Sequence, residues 1–239
     1  MPPTWVRTWK SRNMRDDGPE SEVLERLRGR VDPLLRAALI RSFELGFLGS
    51  MAIEDQIDHA LGFVAVLEER LGRSPDSVID LGTGGGVPGL VLASCWPDAR
   101  VVLMDASERR TSFLSETLEA WPSPGGAGVM RGRAEELGRE AGLREQFEAV
   151  TSRSFGLPAL TAECGSAFLA ADGWMVVSEP PDIASELRWP RDGLALVGLE
   201  AVETARVDGR FGYQVLHKVC GIEERFPRRV GIPAKRPIF

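Results

Sequence analysis

The stretch VIDLGTGGGVPG, at 78–89, combines residue types that are suited to binding a ligand. An apolar run ends on Asp80, and Gly82, Gly84 and Gly86 follow it. Glycine permits a tight turn with positive φ angles and lets the backbone come close to a ligand. The turn therefore predicts a site for a nucleoside-type cofactor, in the space that three missing side chains leave open. A merely tight loop capped by Asp80 is the structural alternative.

The type of cofactor follows from the residues around this turn. A phosphate-binding P-loop carries a lysine after its glycines, and none follows here. Asp105, at the end of RVVLMD, is placed to bind ribose hydroxyls. Asp80 would repel a pyrophosphate, whereas it would attract an ammonium or sulfonium charge. S-adenosylmethionine has both charges and a ribose, so these residues favour it over the dinucleotide of an NAD-dependent oxidoreductase.

These residues need elements that bring them to one edge of a sheet. Short apolar strands alternate with helical stretches from SVIDL at 77–81 to GWMVVSE at 173–179. This alternation predicts a Rossmann-like α/β fold, a mostly parallel doubly wound sheet with helices on both faces. LALVGLEAVETARV and FGYQVLHKVC, separated by DGR, predict a C-terminal antiparallel hairpin. Ligands of such sheets bind beyond the carboxyl ends of the strands.

The sequence before this core predicts an arm and two helices. Residues 1–20 are polar without usable periodicity, which predicts a disordered arm. Asp32 and Pro33 predict the start of one helix, and Gly72 predicts the end of a second. A chain of 239 residues is the size of one domain. We divide it into a helical part at 21–72, a core at 76–182 that binds S-adenosylmethionine, and C-terminal strands with a basic tail at 190–239.

The composition narrows the class of protein further. No apolar run approaches the roughly 20 residues that cross a bilayer, and no signal peptide is visible, so we expect a cytoplasmic protein without membrane contact. Three scattered cysteines and two histidines form no ligand spacing, so we expect no metal. No nucleophile and base pair stands out, and no residue is assigned as catalytic. The oligomeric state is left open, and a monomer is compatible with the sequence.

Several motifs resemble those of one enzyme family. They are DLGTGGGVPG at 80–89, MDASERRTSFL at 104–114, RGRAEEL at 131–137, FEAVTSR at 147–153 and ERFPRRVGIPAKRPIF at 224–239. They are similar to bacterial methyltransferases that modify a guanine N7 in small-subunit 16S ribosomal RNA, the glucose-inhibited division protein B family. The resemblance implies a class I methyltransferase fold, S-adenosylmethionine as the methyl donor and 16S rRNA as the substrate.

The resemblance also implies roles for individual residues. It implies that Gly82 and Val87 contact the methyl donor. It places Ala134 and Glu135 beside the adenine of the donor. Arg153 is similar to an arginine at the end of the fourth strand, at the edge that donor and substrate share, and an arginine there points toward the site.

The closing segment supplies a candidate RNA-binding surface. The chain has a net charge of −6, so any contact with RNA must come from a local patch. From 225 to 239 there are five cations and no acid: Arg225, Arg228, Arg229, Lys235 and Arg236. They predict phosphate contacts with 16S rRNA or the small ribosomal subunit.

One residue favours a different acceptor. Glu179 falls where the family usually has a lysine, so an anion replaces a cation near the substrate. Together with the negative net charge, Glu179 favours the alternative of a methyltransferase that acts on a small molecule. A binding protein that has kept the fold but lost transfer is a further alternative.

Overall fold

The computed structural model describes residues 20–121, 125–180 and 185–239. The predicted disordered arm at 1–20 lies outside these ranges except for Glu20, the first residue of a helix. The helices are α1 (Glu20–Arg28), α2 (Pro33–Glu44), α3 (Ile53–Leu71), α4 (Gly89–Cys95), α5 (Glu108–Ala120), α6 (Ala134–Leu137), α7 (Pro158–Ser166), α8 (Ser185–Arg188), α9 (Arg191–Ala195) and α10 (Ile232–Lys235). The strands are β1 (Ser77–Leu81), β2 (Arg100–Asp105), β3 (Gly128–Arg131), β4 (Phe147–Ser152), β5 (Leu169–Glu179), β6 (Leu199–Val207) and β7 (Phe211–Lys218).

The strands of the described residues form one mixed sheet in the order β3-β2-β1-β4-β5-β7-β6. The first five pair in parallel, whereas β7 pairs antiparallel with both β5 and β6. The Rossmann-like fold with a C-terminal antiparallel hairpin is therefore confirmed. The strand order reverses between β1 and β4, and ligands of open α/β sheets bind at such a switch point.

Apolar clusters cover both faces of the sheet. One includes Phe63, Leu90 and Leu114 from helices α3, α4 and α5, and it also holds buried residues of α1 and α2. The other includes Leu137 and Phe168. Burial of such side chains supplies the main driving force for folding, and it fixes the strand ends that carry the candidate site.

The predicted start of α2 and the predicted end of α3 are confirmed, whereas α1 is not predicted by the sequence patterns. The Asp32 carboxylate accepts a hydrogen bond from the N–H of Leu34 at 2.8 Å, so it caps α2, which begins at Pro33. Gly72 follows α3 with a φ of 70°, a left-handed conformation that glycine adopts without steric cost. None of the helices described is long and apolar enough to cross a membrane.

Candidate functional site

The turn after β1 has the conformation that its glycines predict. Gly82, Gly84 and Gly86 have φ angles of 64°, 59° and 97°. A Cβ added at Gly84 would meet only the carbonyl oxygen of Gly82, at 3.7 Å. A Cβ at Gly82 would lie 2.7 Å from the Phe155 ring, and one at Gly86 would lie 2.5 Å from Leu90. Of the three, Gly84 has the side that borders open space, and the contacts of all three with a cofactor stay predictions.

Asp80 is fully buried beneath this turn. One carboxylate oxygen accepts from the N–H of Gly89 and the other from the hydroxyl of Thr151, both at 2.9 Å. Burial raises the pKa of Asp80 to about 6, although these hydrogen bonds lower it in part. A contact of Asp80 with the charge of the donor stays a prediction. The Asp80 oxygens are held by the chain itself, as in the alternative of a capped turn.

Asp105, at the carboxyl end of β2, borders the same turn. Its Oδ2 accepts from the N–H of Gly84 at 3.0 Å, and its Oδ1 accepts from the N–H of Ser107 at 2.8 Å. Arg110 also lies 3.4 Å from Oδ2. A carboxylate offers about four acceptor positions, so after these three contacts Asp105 keeps about one position, on Oδ1, for a ribose hydroxyl. That contact stays a prediction.

The other residues that the resemblance implied lie around the same edge of the sheet. Val87 belongs to the apolar cluster on one face, and Ala134 belongs to the cluster on the other face. Glu135 is 8% exposed, and its Oε1 accepts from the N–H of Gly231 at 3.0 Å. This hydrogen bond ties the C-terminal tail to α6. The contacts of Val87, Ala134 and Glu135 with the donor stay predictions.

Arg153 directly follows β4, at the point where the strand order reverses. Its guanidinium lies 4.0 Å from the Met51 sulfur and has no carboxylate partner among the described residues. Burial lowers the pKa of Arg153, whereas the nearby Tyr213 and Asp80 raise it. The contact of Arg153 with the donor or the substrate stays a prediction.

The tail is fixed to the domain by one of its cations. Arg228 Nη2 lies 2.6 Å from Oε2 of Glu163, a fully buried carboxylate, and the backbone N–H of Arg228 donates to Oε1 at 2.7 Å. The charge of Arg228 neutralises Glu163, and a contact of Arg228 with RNA phosphates stays a prediction. The other four predicted RNA-binding cations are exposed: Arg225, Arg229, Lys235 and Arg236. Arg225 contacts Glu223 at 3.1 Å.

Glu179 also has partners. Its carboxylate accepts from Nε of Arg188 at 2.6 Å and from the indole N–H of Trp189 at 3.3 Å. The anion that falls where the family usually has a lysine is thus neutralised by a neighbouring guanidinium.

A cavity of about 300 Å³ near the turn involves residues that the sequence patterns did not single out. Ser152, Phe155 and Arg188 line it together with Glu179. An aromatic residue in SRSFG, a stretch without periodicity after a strand, is a signal that could have indicated Phe155. Nothing in the sequence pairs Arg188 with Glu179, because that contact depends on the tertiary fold.

Solved structures indicate the class of protein to which the fold belongs. Gly84, Asp105 and Arg153 lie at the carboxyl ends of β1, β2 and β4, and their contacts with S-adenosylmethionine stay predictions. Two solved structures share the fold. A methyltransferase from Geobacter sulfurreducens has a TM-score of 0.53 and 16% identity, over 84% of this chain and 96% of the other chain. A 16S rRNA (adenine(1408)-N(1))-methyltransferase from Catenulisporales acidiphilia has a TM-score of 0.50 and 16% identity, over 66% of this chain and 92% of the other chain. The protein is a class I, S-adenosylmethionine-dependent methyltransferase.

Sequence comparison assigns the family. The family model described as rRNA small subunit methyltransferase G matches residues 47–204. Proteins named ribosomal RNA small subunit methyltransferase G are similar as well: that of Thermotoga neapolitana is 35% identical, over 68% of this chain and 72% of its own, and that of Leuconostoc mesenteroides is 31% identical, over 73% and 74%. The chain belongs to the rRNA small subunit methyltransferase G family, which confirms the predicted resemblance.

Proposed function

We propose that the protein methylates a guanine N7 of 16S rRNA, with S-adenosylmethionine as the donor. The observation that carries this proposal is the guanidinium of Arg153, which directly follows β4 and has no carboxylate partner among the described residues, in a chain of the small-subunit rRNA methyltransferase family. A ligand carboxylate at Arg153 would fix the methionine end of the donor where the carboxyl ends of β1 and β4 meet. Because Glu179 is paired with Arg188, the charge argument for a small-molecule acceptor is weakened.

The reaction that we propose requires positioning more than proton transfer. The donor supplies a sulfonium methyl group: the guanine N7 lone pair forms the new N–C bond, and the electrons of the broken C–S bond pass to sulfur. N7 loses no proton, so a general base is unnecessary. His59 agrees with this, since burial lowers its pKa to about 3 and it hydrogen-bonds to Ser178. The chain's own contribution is to orient the reactants and to exclude water.

The proposal extends to the place and form of the protein. Bacterial 16S rRNA is in the cytoplasm, so we propose a cytoplasmic enzyme. We also propose one domain over 21–239 in the three parts defined above, because α1–α3 share an apolar cluster with the sheet. No cluster of three or more potential metal-ligating side chains occurs in the described part of the chain, and the proposed chemistry uses no metal.

The test is transfer of tritium from labelled S-adenosylmethionine to unmethylated small ribosomal subunits, protein-free 16S rRNA or no acceptor. We expect label in the rRNA at a guanine N7. Arg153→Ala should weaken donor binding in calorimetry and reduce transfer, whereas Arg191→Ala, an exposed arginine on α9, should behave as wild type. Tight donor binding without label in either RNA would reject the proposed acceptor.

A further inference from the structure

The cavity of about 300 Å³ lies beyond the carboxyl ends of β4 and β5, beside the donor turn. Ser152 ends β4, Glu179 ends β5, and Phe155 belongs to the loop that follows β4. Ligands of an open α/β sheet bind at this edge. Since the donor site occupies the carboxyl ends of β1 and β2, the neighbouring cavity is available for the second reactant.

The Phe155 ring lies between the donor turn and the cavity. One edge of the ring covers Gly82, since a Cβ added there would be 2.7 Å from the Cδ2 atom of Phe155. The same half-buried side chain lines the cavity. Aromatic rings bind nucleic-acid bases by stacking, whichever base is present. Phe155 is therefore suited to hold a base with one edge toward the donor.

Ser152 supplies a polar group that the protein itself leaves unused. It is fully buried and lines the cavity, and its Oγ has no hydrogen-bond partner in the part of the chain that the structure describes. A buried hydroxyl without a partner destabilises the fold. A polar ligand in the cavity would satisfy it.

Arg188 supplies fixed hydrogen-bond donors. Its Nε and Nη2 donate to Glu179 at 2.6 and 3.2 Å, and this bidentate contact fixes the plane of the guanidinium. The Glu179 side chain is only 7% exposed, whereas that of Arg188 is 32% exposed. A guanidinium has five N–H groups, so Arg188 keeps donors free for a ligand.

We infer that this cavity holds the purine base that is methylated, stacked on Phe155, with Arg188 donating to O6 of guanine and Ser152 Oγ hydrogen-bonding to the base. This inference rests on the proposed function. O6 and N7 lie on the same edge of guanine, so a donor at O6 fixes the direction of N7. Adenine carries an amino group at that position, so two hydrogen-bond donors, this amino group and the Arg188 guanidinium, would face each other. The pair Glu179–Arg188 thus selects guanine.

The first experiment measures acceptor kinetics on unmethylated small ribosomal subunits together with donor affinity by calorimetry. We expect Phe155→Leu and Arg188→Ala each to lower kcat/KM for the acceptor by roughly tenfold or more, the scale of one stacking contact or one base-specific pair. Donor affinity should change little, and Phe155→Tyr should restore transfer. The matched controls are Leu157→Ala, an exposed neighbour of Phe155, and Arg191→Ala.

Other outcomes separate the inference from the proposed function. Wild-type protein that labels no RNA would reject the proposed function. Wild-type protein that labels rRNA while Arg188→Ala keeps full kcat/KM would reject the inference alone. If Phe155→Leu loses donor binding in parallel with transfer, Phe155 supports Gly82 and not the base, which also overturns the inference.

A second experiment tests the hydrogen bond to O6. Reconstituted subunits carry inosine or 2-aminopurine in place of the mapped guanine; inosine keeps O6, whereas 2-aminopurine lacks it. We expect wild-type protein to methylate the inosine substrate and to lose most activity on the 2-aminopurine substrate. Equal activity on both substrates would overturn the role of Arg188 at O6.

Discussion

Gly82, Gly84 and Gly86, in the turn after β1, all have positive φ angles. The side on which each lacks a Cβ faces different surroundings. Phe155 covers Gly82, Leu90 covers Gly86, and Gly84 alone borders open space. The sequence predicts the turn, because glycine clusters after a strand are typical of it. It cannot predict which glycine faces the ligand, because that depends on side chains from elsewhere in the chain.

A pair of alanine variants separates these roles. Gly84→Ala adds a Cβ in open space, at a backbone cost of about 1 kcal/mol. We expect donor affinity to fall at least about fivefold, near 1 kcal/mol, with a small decrease in Tm. Gly86→Ala should lower Tm more, because its Cβ would lie 2.5 Å from Leu90. Calorimetry and thermal unfolding measure both, and wild-type donor affinity in Gly84→Ala would remove Gly84 from the donor site.

His59 makes stability depend on acid pH. Burial and the charge of Arg153 lower its pKa from 6.5 to about 3. Between these pH values the unfolded chain binds a proton that the native protein does not, so His59 makes the native state less stable as pH falls. The slope is about 1.4 kcal/mol per pH unit.

The variant His59→Gln tests this sign. A glutamine amide replaces Nε2 of His59 as the partner of Ser178 and does not titrate. We expect the variant to be less stable at pH 7 but to lose less of its free energy of unfolding between pH 6.5 and 4. Urea denaturation across this range measures both slopes. Equal slopes in wild type and variant would show that His59 is protonated in the native state.

At the scale of elements, the strands follow the sequence pattern more closely than the helices do. The predicted strand LALVGLEAVETARV begins only at Leu199, because Gly198 adopts a φ of 71° and the preceding residues form α9. The helix that begins at Ala134 ends at Leu137, next to Gly138, on which Pro227 of the tail packs. A local apolar pattern predicts that a strand is present. The residues at which strands and helices begin or end depend on tertiary packing, and so do the contacts of the tail.

The contact of Glu163 with Arg228 joins α7 to the tail. Glu163 is fully buried, so Arg228→Ala would leave its carboxylate without a counter-ion. We expect a loss of about 3–5 kcal/mol in the free energy of unfolding, measured by urea denaturation. The double variant with Glu163→Gln should recover part of it, because glutamine carries no charge. Arg229→Ala, an exposed neighbour, is the control, and an equal loss in both single variants would contradict the role of the ion pair.

At the scale of the whole molecule, the reversal of strand order assembles the donor site. It brings the ends of β1 and β4 together, so Gly84 and Arg153, predicted separately from sequence, meet at one edge, with Asp105 at the end of β2 beside them. The cavity lined by Phe155 and Arg188 could not be predicted, because it exists only once side chains pack across the sheet edge. The hydrogen bond from Gly231 to Glu135 brings the tail to the same edge.

This arrangement predicts how an acidic protein binds RNA. With a net charge of −6, phosphate contacts must be local, and the exposed tail cations belong to a segment that hydrogen-bonds to α6. We expect the triple variant Arg229→Ala, Lys235→Ala and Arg236→Ala to bind 16S rRNA more weakly. Its slope of log affinity against log salt should be shallower by roughly 2, since each lost phosphate contact removes about 0.7 for a single strand.

The salt titration needs two further measurements to be decisive. Donor affinity of the triple variant should equal that of wild type, because none of the three side chains contacts the donor turn. Arg100→Ala, an exposed cation at the amino end of β2 on the opposite edge of the sheet, should keep the wild-type salt slope. If Arg100→Ala lowers the salt slope as much as the triple variant does, RNA binds both edges of the sheet and has no preference for the tail. An unchanged slope in the triple variant would exclude the tail from the RNA interface and leave docking to cations elsewhere on the protein.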